Sequence, residues 1–310
     1  MPDPRKVIIS CAITGGMTVP GQSPAIPVTP DQIVESALGA NQAGASILHI
    51  HVRDPKDGHP VADPELFLEV VSSIREQCDA IVQPTTGGGV GMSIDERARV
   101  LRVCKPEMAS FNLGSFNFGI FQVKHREGMA DWEIAYLEST RDYVFKNSFA
   151  DMYKMAAHFR ENGTKPEFEA YDVGHIYNLL HLLEAGLVET PLHLQFVLGV
   201  LGANGPAPGQ LIHMLETARG LLGAETFTWS VAGIGYPGEF HLGAVALILG
   251  GHIRVGLEDN LRLTLDRRAA SNAQLVEKAT ALAALLDREV AAPADARRAL
   301  GLSGDSADGP

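Results

Sequence analysis

The chain has 310 residues, 45% of them hydrophobic and 6% aromatic, and a formal net charge of −12. That length suffices for one large α/β domain, while the negative balance excludes a nucleic-acid partner, which needs a basic face for phosphates, and works against an anionic membrane surface. No apolar run reaches the ~18 residues of a transmembrane span and the start of the chain lacks a signal-peptide layout, so a cytoplasmic protein is expected, with Cys11, Cys78 and Cys104 as reduced thiols.

Strand-like runs and helical patterns alternate along the chain. A first strand over residues 7–12 is followed by Thr29-Pro30-Asp31-Gln32, an N-cap with Pro at the first helical position and a capping-box Gln, opening a helix to about residue 43. Strands over 46–52 and 80–83 precede helices over 63–78 and 93–103. After a strand over 108–111, residues 112–140 form a segment longer than an ordinary βα loop, expected to cover the active face or reach a neighbouring subunit. A helix over 141–162 comes next. Strands over 167–171, 192–198, 226–231 and 251–255 then alternate with helices over 173–185, 209–222, 238–249 and 272–288. A short C-terminal helix over 291–300 and a frayed tail over 303–310 complete the chain. Strict alternation implies parallel strands with crossover helices. Eight such units close most economically into a (β/α)8 TIM barrel, with a doubly wound open sheet as the structural rival. No Pro/Ser/Gly linker divides the chain, so residues 1–310 are expected to form a single domain.

Within Leu48-His49-Ile50-His51-Val52, both imidazoles fall on one face of the strand, because successive side chains alternate. Paired neutral imidazoles suit a divalent transition metal. In such a barrel, chemistry collects at the C-terminal ends of the strands. Those ends carry Thr14-Gly15-Gly16; His49, His51, Arg53 and Asp54; Thr85 to Gly89; Ser110, Asn112 and Ser115; Glu169 and Asp172; Gln195; and Arg254, Glu258 and Asp259. Glu258 is a plausible third ligand, giving a His₂Glu set with an open position, although Glu258-Asp259-Asn260 also reads as a solvated turn. Arg254 is either a substrate clamp or an internal ion-pair partner. The glycine-rich run over 85–91 presents backbone amides to a carboxylate or phosphate, or makes a tight βα turn. It matches neither the dinucleotide fingerprint nor the P-loop. His193 reads as core or as support behind the site, and His175 and His252 are secondary candidates near strand ends.

With these residues assembled, the chain resembles the β-keto acid cleavage enzymes, the family of the lysine-fermenting 3-keto-5-aminohexanoate cleavage enzyme, from residue 7 to about 302. The resemblance rests on Ala12-Ile13-Thr14-Gly15, His49-Ile50-His51-Val52-Arg53, Thr86-Gly87-Gly88, Lys105-Pro106-Glu107-Met108-Ala109, Asn117-Phe118-Gly119, Gln195-Phe196-Val197-Leu198-Gly199, the run from Trp229 to Gly235 and the run from Gly250 to Asn260. It implies a zinc-bearing (β/α)8 barrel, commonly a homotetramer, that condenses a β-keto acid with acetyl-CoA and yields acetoacetate and a new acyl-CoA by Claisen and retro-Claisen steps. By matching position it implies His49, His51 and Glu258 as zinc ligands, and Thr85, Gly88 and Ser110 as substrate-binding positions. Arg254, Asp259 and Glu169 fall on polar positions of the catalytic pocket, with Asp259 placed to take a proton and Arg254 to stabilise oxyanions. The position matching Met17 is acidic in the lysine-fermenting enzyme, where it pairs with the substrate amino group. Met17 cannot make that ion pair, so a β-keto acid with a neutral or apolar distal group is expected. The rival readings are a zinc-dependent aldolase or lyase without coenzyme A, and a metabolite-binding barrel whose histidines hold a structural metal. The last is disfavoured because structural zinc takes four protein ligands.

Overall fold

A computed structural model describes residues 5–88 and 92–302. The expected tail over 303–310 and the end of the glycine run, Gly89 to Gly91, lie outside the described residues. Eight strands build the central sheet: β1 (Ile9–Ala12), β2 (Ile47–Ile50), β3 (Ile81–Pro84), β4 (Met108–Asn112), β5 (Lys165–Ala170), β6 (Leu192–Leu198), β7 (Phe227–Gly233) and β8 (His252–Val255). Their order is β3-β2-β1-β8-β7-β6-β5-β4, and every neighbouring pair is parallel. The sheet is nearly closed into a barrel, the (β/α)8 architecture expected. At the seam between β3 and β4, Pro84 has no amide hydrogen to give a ladder. The Thr86 hydroxyl donates to the Ser110 carbonyl at 2.6 Å, and the Thr86 amide donates to Ser110 Oγ at 3.3 Å.

The helices are α1 (Pro30–Gln42), α2 (Pro64–Gln77), α3 (Ile94–Cys104), α4 (Asp131–Ser139), α5 (Phe149–Glu161), α6 (Val173–Glu184), α7 (Pro208–Leu222), α8 (Gly238–Ile248), α9 (Asn272–Leu285) and α10 (Pro293–Leu300). Among the described residues, no helix is long and apolar enough to cross a membrane. The capping box read at Thr29 forms, with the Thr29 side chain accepting from the Gln32 amide. Several expected boundaries shift: the strand expected over 46–52 ends at Ile50, with Val52–Arg53 pairing instead with Pro60–Val61, and the helix expected to reach 288 ends at Leu285. The helix expected from residue 141 begins at Phe149, because Ser148 caps it by accepting from the Asp151 amide. Upstream, Val144–Phe145 pairs antiparallel with Phe116–Asn117. The long segment after β4 also carries a helix of its own, α4.

Each barrel strand alternates in chemistry. One set of positions, such as Ile9, Leu48, Val82, Phe111, Phe168, Phe196 and Ile253, packs into the main apolar cluster with the helices. The intervening set, Ser10, His49, Gln83, Ser110, Glu167, Glu169, His193, Gln195, Ser230 and Arg254, is buried and polar. Barrel interiors are ordinarily filled by branched apolar residues, so this lumen is committed to chemistry rather than to packing. At the opposite end, Ile8, Ile47, Ile81 and Met108 cluster with Ala296 and Leu300 of α10, which closes the barrel there.

Candidate active site

β2 and β8 both pair with β1, and this brings their distant side chains together. His49 Nε2 lies 3.8 Å from Glu258 Oε2, and His51 Nε2 lies 3.6 Å from Glu258 Oε1. One donor atom from each residue falls within 4.8 Å of the others, a spacing that can hold a metal ion. The chain after β1 makes room for this. Gly15 has a φ of +67°, and a Cβ there would stand 2.2 Å from Glu258 Cγ. The fully buried Arg53 holds that turn, donating to the main-chain carbonyls of Thr14, Gly15 and Thr18 at 2.8–2.9 Å. Arg53 is therefore a structural staple.

His49 Nδ1 is 2.8 Å from Gln83 Oε1, on the neighbouring register position of β3. A carbonyl oxygen there accepts the Nδ1 proton and leaves the Nε2 lone pair for a metal. Burial lowers both imidazoles, His51 to about 3, so both rings are neutral near pH 7 and suited to ligation. Burial opposes ionisation of Glu258, but the Arg254 guanidinium overcomes it and holds the carboxyl well below its ordinary range. Buried Glu258 Oε2 has no hydrogen-bond partner among the described residues.

Arg254 gathers the remaining carboxylates. It grips Asp259 through two hydrogen bonds of 2.8 Å, donates to Glu258 Oε1 at 2.8 Å and to Gln195 Oε1 at 3.1 Å, and lies 3.6 Å from Glu169 Oε1. Glu169 Oε2 accepts from Asn112 and, at 3.0 Å, from the Tyr171 hydroxyl. Burial drives Glu169 up to about 7 and also raises Asp259, because one guanidinium is shared among three carboxylates. With neutral imidazoles, one guanidinium faces three carboxyl groups, so the buried cluster is short of positive charge. A divalent cation bound by His49, His51 and Glu258 supplies that deficit, and the unpartnered Glu258 oxygen is the atom it would engage.

His49, His51 and Glu258 line a cavity of about 70 Å³. Met17, Thr85 and Gly88 are on its wall, as are Gly16, Asn112, Phe118, Tyr136, Thr140, Tyr143, Phe145, Glu169 and Tyr171. Ser110 lies behind Thr85, with the two hydroxyl oxygens 3.5 Å apart. Arg254 and Asp259 stand beneath Glu258 rather than on this wall, and Asp259 borders a second cavity. Gly88, at φ +66°, packs over Arg97 of α3, whose Nε donates to the Thr86 carbonyl at 2.7 Å. Part of the long segment after β4 covers the site: the Tyr136 hydroxyl donates to the Gly16 carbonyl at 2.7 Å.

Sequence reasoning missed Gln83, Tyr171 and the aromatic wall. Alternation along β3 was a usable signal for Gln83, a lone amide at the register position of His49. The wall residues Phe118, Tyr136, Tyr143 and Phe145 show no periodic pattern to find. The secondary histidine candidates are structural: His175 Nδ1 accepts from the Tyr171 amide and His252 Nδ1 from the Ile8 amide, each at 3.2 Å. His193 lies behind the site, 3.2 Å from the buried Glu167 carboxylate.

Residues 6–302 match the family described as beta-keto acid cleavage enzyme. The chain is 43% identical over 302 residues to the 3,5-dioxohexanoate:acetyl-CoA acetone transferase of Paraburkholderia graminis, covering 97% of each chain. It is 37% identical over 300 residues to the 3-keto-5-aminohexanoate cleavage enzyme of Acetoanaerobium sticklandii, covering 96% of this chain and 99% of that one. Among solved structures, apo ObcA superposes with a TM-score of 0.74 at 21% identity, over 90% of this chain and 66% of ObcA, a likeness of fold.

Proposed function

The chain belongs to the β-keto acid cleavage enzymes, and from that membership we propose that it condenses a β-keto acid with acetyl-CoA to release acetoacetate and a new acyl-CoA. The observation that carries the reading is the buried charge deficit around His49, His51 and Glu258, which fits one divalent metal with coordination left for substrate oxygens. When bound, such a metal supplies Lewis-acid polarisation of a carbonyl, worth several kcal/mol.

The chain's own groups carry the rest. Asp259, raised by burial and held beside Glu258, is the proposed acceptor of the proton from the carbon between keto and carboxyl groups. Arg254 steadies the oxyanions that develop, and Glu169 tunes it from the other side. That carbon attacks the thioester carbonyl, a C–C bond forms and the coenzyme A thiolate leaves. The thiolate then adds to the original keto carbon, the older C–C bond breaks, and the electron pair left on the carbon of the departing acetoacetate takes back the proton held by Asp259. Thr85 and the Gly87–Gly88 backbone are the proposed seat of the carboxylate.

Met17, Phe118, Tyr143 and Phe145 on the cavity wall support a substrate with a neutral distal group. The distal keto group of 3,5-dioxohexanoate, in the name of the Paraburkholderia relative, has that character. Zinc as the metal and a homotetramer as the assembly rest on the family resemblance, while the cytoplasm as the compartment and residues 1–310 as one domain rest on the reading of the sequence. The test is a panel of β-keto acids with neutral and cationic ends, assayed for acetoacetate with and without acetyl-CoA. Acetyl-CoA-dependent acetoacetate from the neutral members is expected. Cleavage without coenzyme A supports the aldolase reading instead.

A further inference from the structure

A second cavity of about 310 Å³ lies beside the first, and Met17 and Glu258 belong to the walls of both. The first is the smaller of the two, about 70 Å³ against about 310 Å³. The second is walled by the apolar side chains of Ile120, Val200, Leu201 and Ile234 and by open backbone at Gly235. A Cβ on Gly235 would meet nothing within 4 Å.

The outer rim is basic, although the chain as a whole carries −12. Arg262 is on the wall, and Arg126 and Arg268 both donate to the main-chain carbonyl of Gln22, another wall residue. Arg262 and Arg268 form an antiparallel bridge, and Arg267 is exposed on the hairpin between them. The nearby Glu133 carboxylate is occupied by the amides of Gly21 and Ala130, while Asp266 is exposed on the hairpin.

We propose that this second cavity takes the pantetheine arm of an acyl-coenzyme A, with the thioester at Glu258 and the phosphorylated nucleotide on the arginine rim. The inference rests on the functional reading above. An uncharged chain with two amides suits apolar walls with exposed main chain, and several phosphate charges suit a cluster of guanidinium groups. The two substrates then reach the ligand cluster by separate routes that meet at Met17 and Glu258.

Isothermal calorimetry with desulfo-coenzyme A, which cannot react, and with acetoacetate tests this on the purified full chain. The wild type is compared with R262E/R267E, which reverses the rim, and with L201W, which fills the cavity. Both variants are expected to weaken desulfo-coenzyme A at least tenfold while acetoacetate affinity stays within twofold, which also reports that they fold. Raising the salt concentration is expected to weaken the wild type's grip on desulfo-coenzyme A more than that of R262E/R267E. If the wild type turns over acetyl-CoA and both variants keep its desulfo-coenzyme A affinity, the location is overturned and the functional reading survives. If the wild type neither binds desulfo-coenzyme A nor turns over acetyl-CoA, both are overturned.

Discussion

Gly15 decides whether Glu258 can reach the two imidazoles. Its left-handed backbone and the 2.2 Å approach to Glu258 Cγ leave no place for a methyl group. Gly15→Ala is therefore expected to lower metal affinity at least tenfold, measured by competition with a chelating dye, and Gln83→Leu to lower it ~10–100-fold by freeing the His49 ring. Unchanged affinity in both would remove the ligand assignment. Asp259→Asn keeps the shape of the Arg254 pair but not the basicity, and a loss in kcat of roughly 10²–10⁴-fold at unchanged metal content is expected. Steady-state kinetics with metal analysis on the same sample checks it. At this scale the sequence was partly legible. His49 and His51 declare themselves by alternation, whereas Glu258, some two hundred residues downstream, needs the barrel topology or the family resemblance to join them. Arg254, Asp259 and Glu169 could be named, but not that one guanidinium serves all three carboxylates.

Between elements, buried polar contacts tie the strands as firmly as the ladders do. His252 at the start of β8 takes the Ile8 amide on Nδ1, a bond that needs the ring unprotonated. Burial, with His193 and Arg288 nearby, lowers His252 from 6.5 to about 3. The unfolded chain then holds the proton more tightly than the folded one between those values. This contribution is whole above pH 6.5 and is lost as pH falls toward about 3, at roughly 1.4 kcal/mol per pH unit. In His252→Asn the amide oxygen can take the Ile8 hydrogen without titrating. Urea unfolding at pH 7, 6 and 5 is therefore expected to show a flatter decline for the variant, and parallel declines would contradict the assignment. The buried Glu167 carboxylate lies 3.2 Å from His193 Nε2, and Glu167→Ala, which leaves that ring nitrogen without it, is expected to cost about 1–3 kcal/mol in the same measurement. The element pattern was largely readable because the lumen is polar, so period-two alternation survives even in fully buried strands. It failed over residues 141–148, where a capped helix start and a two-residue strand are set by contacts with Phe116–Asn117, invisible in local sequence.

At the scale of the whole molecule, the fold brings residues from the second, fifth and eighth barrel strands and the turns after them into one charge cluster and closes the far end with α10. Alternation over the full length was enough to foresee the barrel, but not that α10 covers its far end. The cover over the site was foreseeable only as a long segment, because Phe118 and Tyr136 reach the cavity through an irregular path without periodicity. The account turns on a buried cluster short of positive charge that a divalent metal makes good. Stripping the purified protein of metal and titrating zinc back while following acetyl-CoA-dependent acetoacetate formation tests this most directly. The expected trace starts at no turnover and rises linearly to a plateau at a single equivalent per chain, held by His49, His51 and Glu258. Full turnover by rigorously metal-free protein would contradict it.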